Sequence, residues 1–138
     1  MANKTYAIEW LQKAYHDLDS ANILFVSGHY TDTIGYLYHQ SIEKIYKSII
    51  AFANEPIEKT HNLIELNELT GEYFDLNEDE LIALGIITTY HTKQRYPTMD
   101  KKLPTKEEIN KAKDLAIFLF DKVCSQLNIN KSEITNEI

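Results

Sequence analysis

The chain has 138 residues, 43% of them hydrophobic and 25% charged, with four Gly, three Pro and one Cys. This composition indicates one globular domain over residues 1–138, with a core over about residues 5–127, and excludes collagen-like, turn-rich all-β and disulfide-stapled chains. The net charge of −7 argues against bulk coating of nucleic acid, and the lack of a long apolar run or a signal-peptide layout predicts a cytoplasmic protein without a membrane partner.

Two long amphipathic helices are predicted in the first half of the chain. Apolar residues recur at intervals of three and four over residues 5–27, and Gly28 ends this first helix. Thr31 or Asp32 is placed to cap a second helix that runs to about residue 53 and has a broad apolar surface. Such breadth predicts a central helix, and the short turn between the two predicts that they are antiparallel neighbours.

Three further helices follow, each with a start signal in the sequence. Thr60 is placed to cap a short helix that ends before Gly71. Asn77 and Glu80 form a capping-box pattern that opens a fourth helix over about residues 78–93. Thr105 and Glu108 form another, which opens a fifth helix that runs to about residue 127. The last ten or so residues are predicted to fray. The sequence therefore predicts an all-α, up-and-down bundle of about five helices.

Charge is unevenly distributed along the chain. Residues 61–80 contain seven acids and no Lys or Arg, and this stretch is either a docking surface for a basic partner or a solvated rim. Residues 91–106 hold five basic residues against one acid, including Arg95, the only arginine. A guanidinium flanked by tyrosines suits phosphate binding with base stacking nearby. The alternative is that Arg95 pairs with a carboxylate and locks the turn before Pro97.

Other polar residues receive structural interpretations. Glu43 and Lys47 have the spacing of an ordinary exposed ion pair, whereas Gln40 on so apolar a helix needs partners and either contacts a ligand or orders the bundle. The five histidines lack zinc spacing, so neither a metal nor another cofactor is predicted. His61 is interpreted as a first-turn residue bonded to backbone or to a carboxylate, and Cys124 as a small core residue.

Short motifs follow one another in order along the five predicted helices. They are Trp10-Leu11 with Ala14, Asp17-Leu18 and Ala21; Gly28-His29-Tyr30; Gln40 with Glu43-Lys44 and Lys47; Thr60-His61 with Leu63; and Thr89-Tyr90 with Arg95-Tyr96-Pro97. In this order and spacing, over about residues 6–120, the chain resembles the small stand-alone prokaryotic type of HEPN (higher eukaryotes and prokaryotes nucleotide-binding) domain.

The resemblance implies an all-α bundle that is often a homodimer and is frequently encoded beside a minimal nucleotidyltransferase, with which it forms a toxin–antitoxin-like pair. Several branches of the family are metal-independent ribonucleases in which an Arg is followed, after four to six intervening residues, by a His. This sequence departs from that motif, since no histidine follows Arg95 and His91 lies four residues upstream. This departure from the motif therefore favours a protein that is non-catalytic or only weakly catalytic.

The favoured hypothesis is a module that binds a nucleotide or polynucleotide phosphate, with Arg95 as the clamp, and acts through a partner. The supporting residues are Lys93 and Lys44 as secondary cations, Tyr90 and Tyr96 as stacking groups or walls, and His91 and Gln40 as orienting donors. One alternative is a dimeric endoribonuclease with His91 as general acid/base and Arg95 as the electrophilic group. Another is a structural assembly subunit with no ligand of its own.

Overall fold

The structure, a computed structural model, describes residues 2–95, 97 and 102–135, and the side chains of all of these except residues 93–95. Within these ranges the chain forms helices and no strand, which confirms the all-α prediction. The helices are α1 (Lys4–Val26), α2 (Thr31–Phe52), α3 (Leu63–Leu69), α4 (Glu78–Thr88), α5 (Tyr90–Arg95), α6 (Lys106–Gln126) and α7 (Ser132–Thr135).

Helix α2 is the centre of the bundle, as its broad apolar surface predicts. It packs along α1 and also contacts α3, α4, α5 and α6. The reversal from α1 to α2 needs a left-handed residue, and Gly28 supplies it with φ +73°. Large fully buried side chains from α1, α2, α3 and α6, including Leu11, Tyr38, Leu66 and Ile109, fill the core.

The predicted helix starts are partly correct. Both capping boxes are present, with the Asn77 and Thr105 side chains accepting from the backbone N–H three residues on. The predicted caps of the other two helices are wrong. Asn62 rather than Thr60 accepts from the first free N–H groups of α3, and α2 begins after Tyr30 without a side-chain cap.

The predicted fourth helix is divided into two. Helix α4 ends at Thr88, and α5 begins at Tyr90 and packs against α2. The ring of Tyr90 inserts against Gly35, where a Cβ atom would lie only 2.9 Å from Tyr90 Cδ2. A continuous helix over residues 78–93 is therefore the wrong prediction, because burial of Tyr90 against α2 redirects the chain.

The end of the described chain also differs from the prediction. Instead of fraying after residue 127, the chain turns at Asn128 and forms α7, which packs against α1. Burial of Ile129 and Ile134 supplies the apolar contact that orders this segment. Cys124 lies in the core, as predicted, and burial raises the pKa of its thiol to about 11. Among the helices that the structure describes, none is long and apolar enough to cross a membrane.

Candidate functional site

Polar side chains converge where α2, α5 and the segment before α3 meet. We call this group the histidine cluster, and it consists of His39, Glu43, Lys47, His61 and His91. Three of its members, on successive turns of α2, are buried despite their polarity. Buried polar groups of this kind require partners, and the cluster supplies most of them internally.

Glu43 is the centre of the histidine cluster. Its Oε2 accepts a hydrogen bond from Lys47 Nζ at 2.9 Å, and its Oε1 accepts one from His61 Nδ1 at the same distance. Burial by itself raises the pKa of the Glu43 carboxyl, but the bonds from Lys47 and His61 outweigh it and hold that pKa below its usual value. Glu43 is therefore an ionised carboxylate at neutral pH, and His61 Nδ1 carries the proton of their hydrogen bond.

His39 is fully buried beside Glu43 and acts as a neutral group. Its Nε2 lies 2.9 Å from the backbone oxygen of His61, which can only accept, so Nε2 carries the proton and Nδ1 is bare. Burial lowers the pKa of His39 to about 4, although the nearby Glu43 favours the charged form. The 3.9 Å approach of Nδ1 to Glu43 Oε1 is thus not an ion pair near neutral pH.

His61 and His91 form the outer part of the cluster. Their rings stack with centroids 4.2 Å apart and planes 15° from parallel. The His91 ring also approaches those of His39 and Tyr36, with centroids 5.2 and 5.8 Å away. His61 is 52% exposed, and since Nδ1 is bonded to Glu43, Nε2 is the ring atom left for an external group. An exposed imidazole held by a buried carboxylate can bind an anion or transfer a proton.

The structure brings together some of the predicted site residues. Gln40 donates to Tyr36 Oη at 2.6 Å, and the Tyr36 ring lies against His91, so Gln40 supports the cluster from one side. Lys44 is directed elsewhere, since its Nζ donates to Asp17 Oδ2 on α1. An ion pair of this kind reduces the availability of Lys44 for a phosphate.

Tyr90 occupies a buried position, with 4% of its surface exposed. Its hydroxyl has no hydrogen-bond partner among the described residues, and burial, aided by the charge of Glu108, raises its pKa to about 12. Tyr90 borders a cleft of about 470 Å³ that Lys102 and Glu108 also line. Three other predicted groups, the side chains of Lys93 and Arg95 and the whole of Tyr96, lie outside the described residues.

Sequence reasoning missed most of the cluster. The Glu43–Lys47 pair was expected on an exposed surface, but it is buried, with Lys47 Nζ also 5.9 Å from the ring centroid of Trp10. The carboxylate contact expected for His61 is confirmed by its bond to Glu43, but its expected place in the first turn of α3 is wrong, because His61 precedes the Asn62 cap. The sequence feature that could have indicated burial of this pair is its position on a helix whose apolar stripe is unusually broad. Within the described ranges, no group of His, Cys, Asp and Glu residues has the geometry of a metal site.

Comparison with known proteins identifies the family. The model of the HEPN domain matches residues 7–127. The chain belongs to the HEPN domain family. This HEPN domain is similar in structure to TT1696 from Thermus thermophilus, with a TM-score of 0.72 and 26% identity over 87% of this chain and 97% of TT1696. No curated protein matches the chain.

A second structural relative supports the fold assignment. ST0689, an archaeal HEPN homologue, has a TM-score of 0.66 and 20% identity over 88% of this chain and 97% of its own. At that identity the likeness concerns the fold alone. The up-and-down bundle derived from helical periodicity is therefore the HEPN fold.

Proposed function

We propose that this HEPN domain binds a nucleotide or polynucleotide phosphate beside the histidine cluster. The observation that carries the proposal is the state of His61, which is half exposed, stacked on His91 and bonded at Nδ1 to buried Glu43. When protonated, an imidazole in this position donates from Nε2 to a phosphate oxygen while Glu43 balances its charge. Arg95 is the last residue of α5, four residues after His91. In this proposal its guanidinium is the phosphate clamp.

The distribution of charge supports this location. The chain carries a net charge of −7, so a polyanion finds an attractive surface only where cations are concentrated. Residues 91–106 are the basic part of the sequence, and α5 within them packs against α2 beside the cluster. The ring of Tyr36, with its centroid 5.8 Å from that of His91, adds an aromatic group beside the cluster that suits base stacking.

Binding of a short fluorescent RNA and of ATP tests the proposal. We expect Arg95→Ala and His61→Gln each to weaken RNA binding about tenfold, because each removes one charge-assisted hydrogen bond to phosphate. Lys13→Ala on α1 is the control for charge, and His29→Gln in the turn before α2 is the control for loss of a histidine. Both controls should bind as the wild type does.

The same titrations can also contradict the proposal. Equal weakening by Lys13→Ala and Arg95→Ala would mean that bulk charge governs binding and that no site exists at α5. Absence of RNA and ATP binding in the wild type would remove the phosphate site and favour a structural assembly subunit. Melting curves of all four variants check that each is folded.

We further propose that the protein acts with a minimal nucleotidyltransferase partner in a toxin–antitoxin-like pair. Nucleotide transfer from ATP to a tyrosine of this chain is the chemistry that such a pair would perform. The tyrosine oxygen bonds to the α-phosphorus of ATP, pyrophosphate leaves as the α,β-anhydride bond breaks, and the hydroxyl proton passes to solvent. The burial of Tyr90 favours Tyr96 as the acceptor. After incubation with the partner and ATP, intact mass should increase by a nucleotidyl group in the wild type and in Tyr90→Phe but not in Tyr96→Phe. An unchanged mass in the wild type would exclude this reaction.

A dimeric endoribonuclease is the second candidate, because the carboxylate–imidazole pair of Glu43 and His61 resembles those used in general acid–base catalysis. It predicts RNA cleavage that is lost in His61→Gln, in His91→Ala and in Arg95→Ala while the fold is retained. Binding without cleavage would exclude this candidate and leave the binding module. A denaturing gel of the RNA after incubation with each variant supplies the measurement.

A further inference from the structure

An apolar groove lies between α4 and α6, and none of its lining residues belongs to the histidine cluster. It has a volume of about 630 Å³, and Ile82, Ala83 and Ile86 of α4 face Leu115 and Phe118 of α6 across it. Three of these side chains are exposed to water, with Ile82 at 56%, Ile86 at 42% and Phe118 at 40%. Large apolar side chains that share one exposed groove are typical of an interaction site.

The apolar surface continues beyond the groove. Ile86 also lines the neighbouring cleft of about 470 Å³, together with Leu103, which is 55% exposed. The apolar side chains thus extend from Phe118 past Ile82 and Ile86 to Leu103. An elongated apolar surface between two helices has the shape that receives the apolar face of a third helix.

The charges around the groove define its occupant. Of the four charged residues that line it, Asp79, Glu80 and Asp114 are acidic and Lys111 is basic. Asp79 and Glu80 lie in the first turn of α4, at the end of residues 61–80, which contain seven acids and no Lys or Arg. A helix that binds here meets apolar side chains along the floor and negative charge at the rim.

We propose that the groove between α4 and α6 binds an amphipathic helix of a partner protein that carries Lys or Arg beside its apolar stripe. A second copy of this chain is a poorer occupant, because it would bring the same excess of acids, three against one lysine, to both sides of a two-fold interface. The proposal is independent of the phosphate site, since none of the groove residues belongs to the histidine cluster.

Defined peptides test the groove in the full chain. The probe is a fluorescent helical peptide of about 15 residues with Leu in the heptad core positions and Lys flanking them. One control peptide has Glu in place of Lys, and another has the same composition without the apolar stripe. We expect the Lys peptide to bind at least about tenfold more tightly than either control, because only it matches both the floor and the rim.

Variants of the protein locate the binding. Ile82→Ser with Phe118→Ser should weaken binding about tenfold. Asp79→Asn with Asp114→Asn should weaken it and reduce its salt dependence. The control is Ile23→Ser with Val26→Ser on α1, where two exposed apolar residues are removed, and it should bind as the wild type does.

Three results would overturn the proposal. Equal binding of the stripe-less peptide would mean attraction by charge alone, and equal loss in the α1 control would mean that the groove is not the site. A wild-type dimer in sedimentation that Ile82→Ser with Phe118→Ser dissociates, and with which the peptide does not compete, would assign the groove to a second copy. Because the substituted side chains are exposed, the melting temperatures of the three double variants should stay close to that of the wild type, which verifies the fold.

Discussion

His61 donates from Nδ1 to Glu43 Oε1 at 2.9 Å, so an exposed imidazole is anchored on a carboxylate that is itself buried. Lys47 binds the other oxygen of the same carboxylate and balances its charge inside the bundle. The segment before α3 is therefore attached to α2 through one ionised group. This attachment fixes the position of His61 beside His91 and makes Glu43 the residue on which the geometry of the candidate site depends.

Glu43→Gln should destabilise the fold. It removes the carboxylate and leaves the ammonium group of Lys47, which is only 6% exposed, without a counter-charge. Loss of one partner of a buried ion pair costs about 3 kcal/mol or more in the free energy of unfolding. Urea denaturation at pH 7 measures the change. Glu65→Gln, in the exposed first turn of α3, is the control and should change stability by less than about 0.5 kcal/mol.

A second substitution separates the charge effect from a packing effect. Lys47→Met in the Glu43→Gln background removes the uncompensated ammonium group and keeps the volume of the side chain. We expect the double variant to be more stable than Glu43→Gln alone, because an ion pair can be replaced by apolar groups more cheaply than it can be broken. An equal or lower stability would show that packing, and not the buried charge, determines the loss.

His39 should make the stability depend on pH. Its pKa is about 4 in the folded chain against an ordinary value of 6.5, so between these values the unfolded chain binds a proton that the folded chain does not. The stabilisation that the folded chain gains by keeping His39 neutral is complete above pH 6.5 and is lost as the pH falls toward 4. Between pH 7 and pH 5 we expect a loss of about 2 kcal/mol in the free energy of unfolding.

His39→Gln provides the comparison for this pH dependence, because an amide also donates to the backbone oxygen of His61 and does not titrate. Its stability should be flatter than that of the wild type over the same range. Glu43, whose pKa is lowered, contributes only at lower pH, where its stabilisation is lost as the pH falls through its folded pKa. Parallel curves for His39→Gln and the wild type would contradict the assignment to His39.

The fold follows from local patterns to a large extent. Helical periodicity and the Asn77 and Thr105 capping boxes are short-range signals, and they correctly predict an all-α bundle with α2 at its centre. The division of α4 from α5 is different, since it depends on the contact of Tyr90 with Gly35, which is 55 residues away in sequence. Burial of Ile134 against α1 is equally non-local, and a pattern within one segment cannot predict either contact.

The candidate site was less predictable than the fold. The basic composition of residues 91–106 predicts a site near α5, and His91 of α5 does lie in the cluster. The roles of Glu43 and His61 depend on a bond between residues 18 apart that come from two different elements. An i,i+4 pair of Glu and Lys has the same spacing whether it is exposed or buried, so spacing alone did not reveal the ionised centre of the site.

The start of α3 offers a direct test of a predicted and an observed cap. Asn62→Ala should destabilise the protein by about 1 kcal/mol, because its side chain accepts from the N–H groups of Ile64 and Glu65. Thr60→Ala should cost less, since the Thr60 hydroxyl accepts from the N–H of Asn62, outside the helix, and donates only to the exposed carboxylate of Glu65. Denaturation midpoints of the two variants decide the point, and the reverse order would restore Thr60 as the cap.

Substitution by Ala should have opposite effects on stability at two glycines that lie within helices. Gly85→Ala should stabilise α4 by about 1 kcal/mol, because the new Cβ meets no atom within 4 Å and Ala is the better helix former. Gly35→Ala should instead destabilise by about 1–2 kcal/mol, because its Cβ would overlap the buried ring of Tyr90. Displacement of Tyr90 also shifts α5, so RNA binding should weaken in Gly35→Ala and stay unchanged in Gly85→Ala. Stabilisation by both substitutions would mean that α5 does not pack against Gly35.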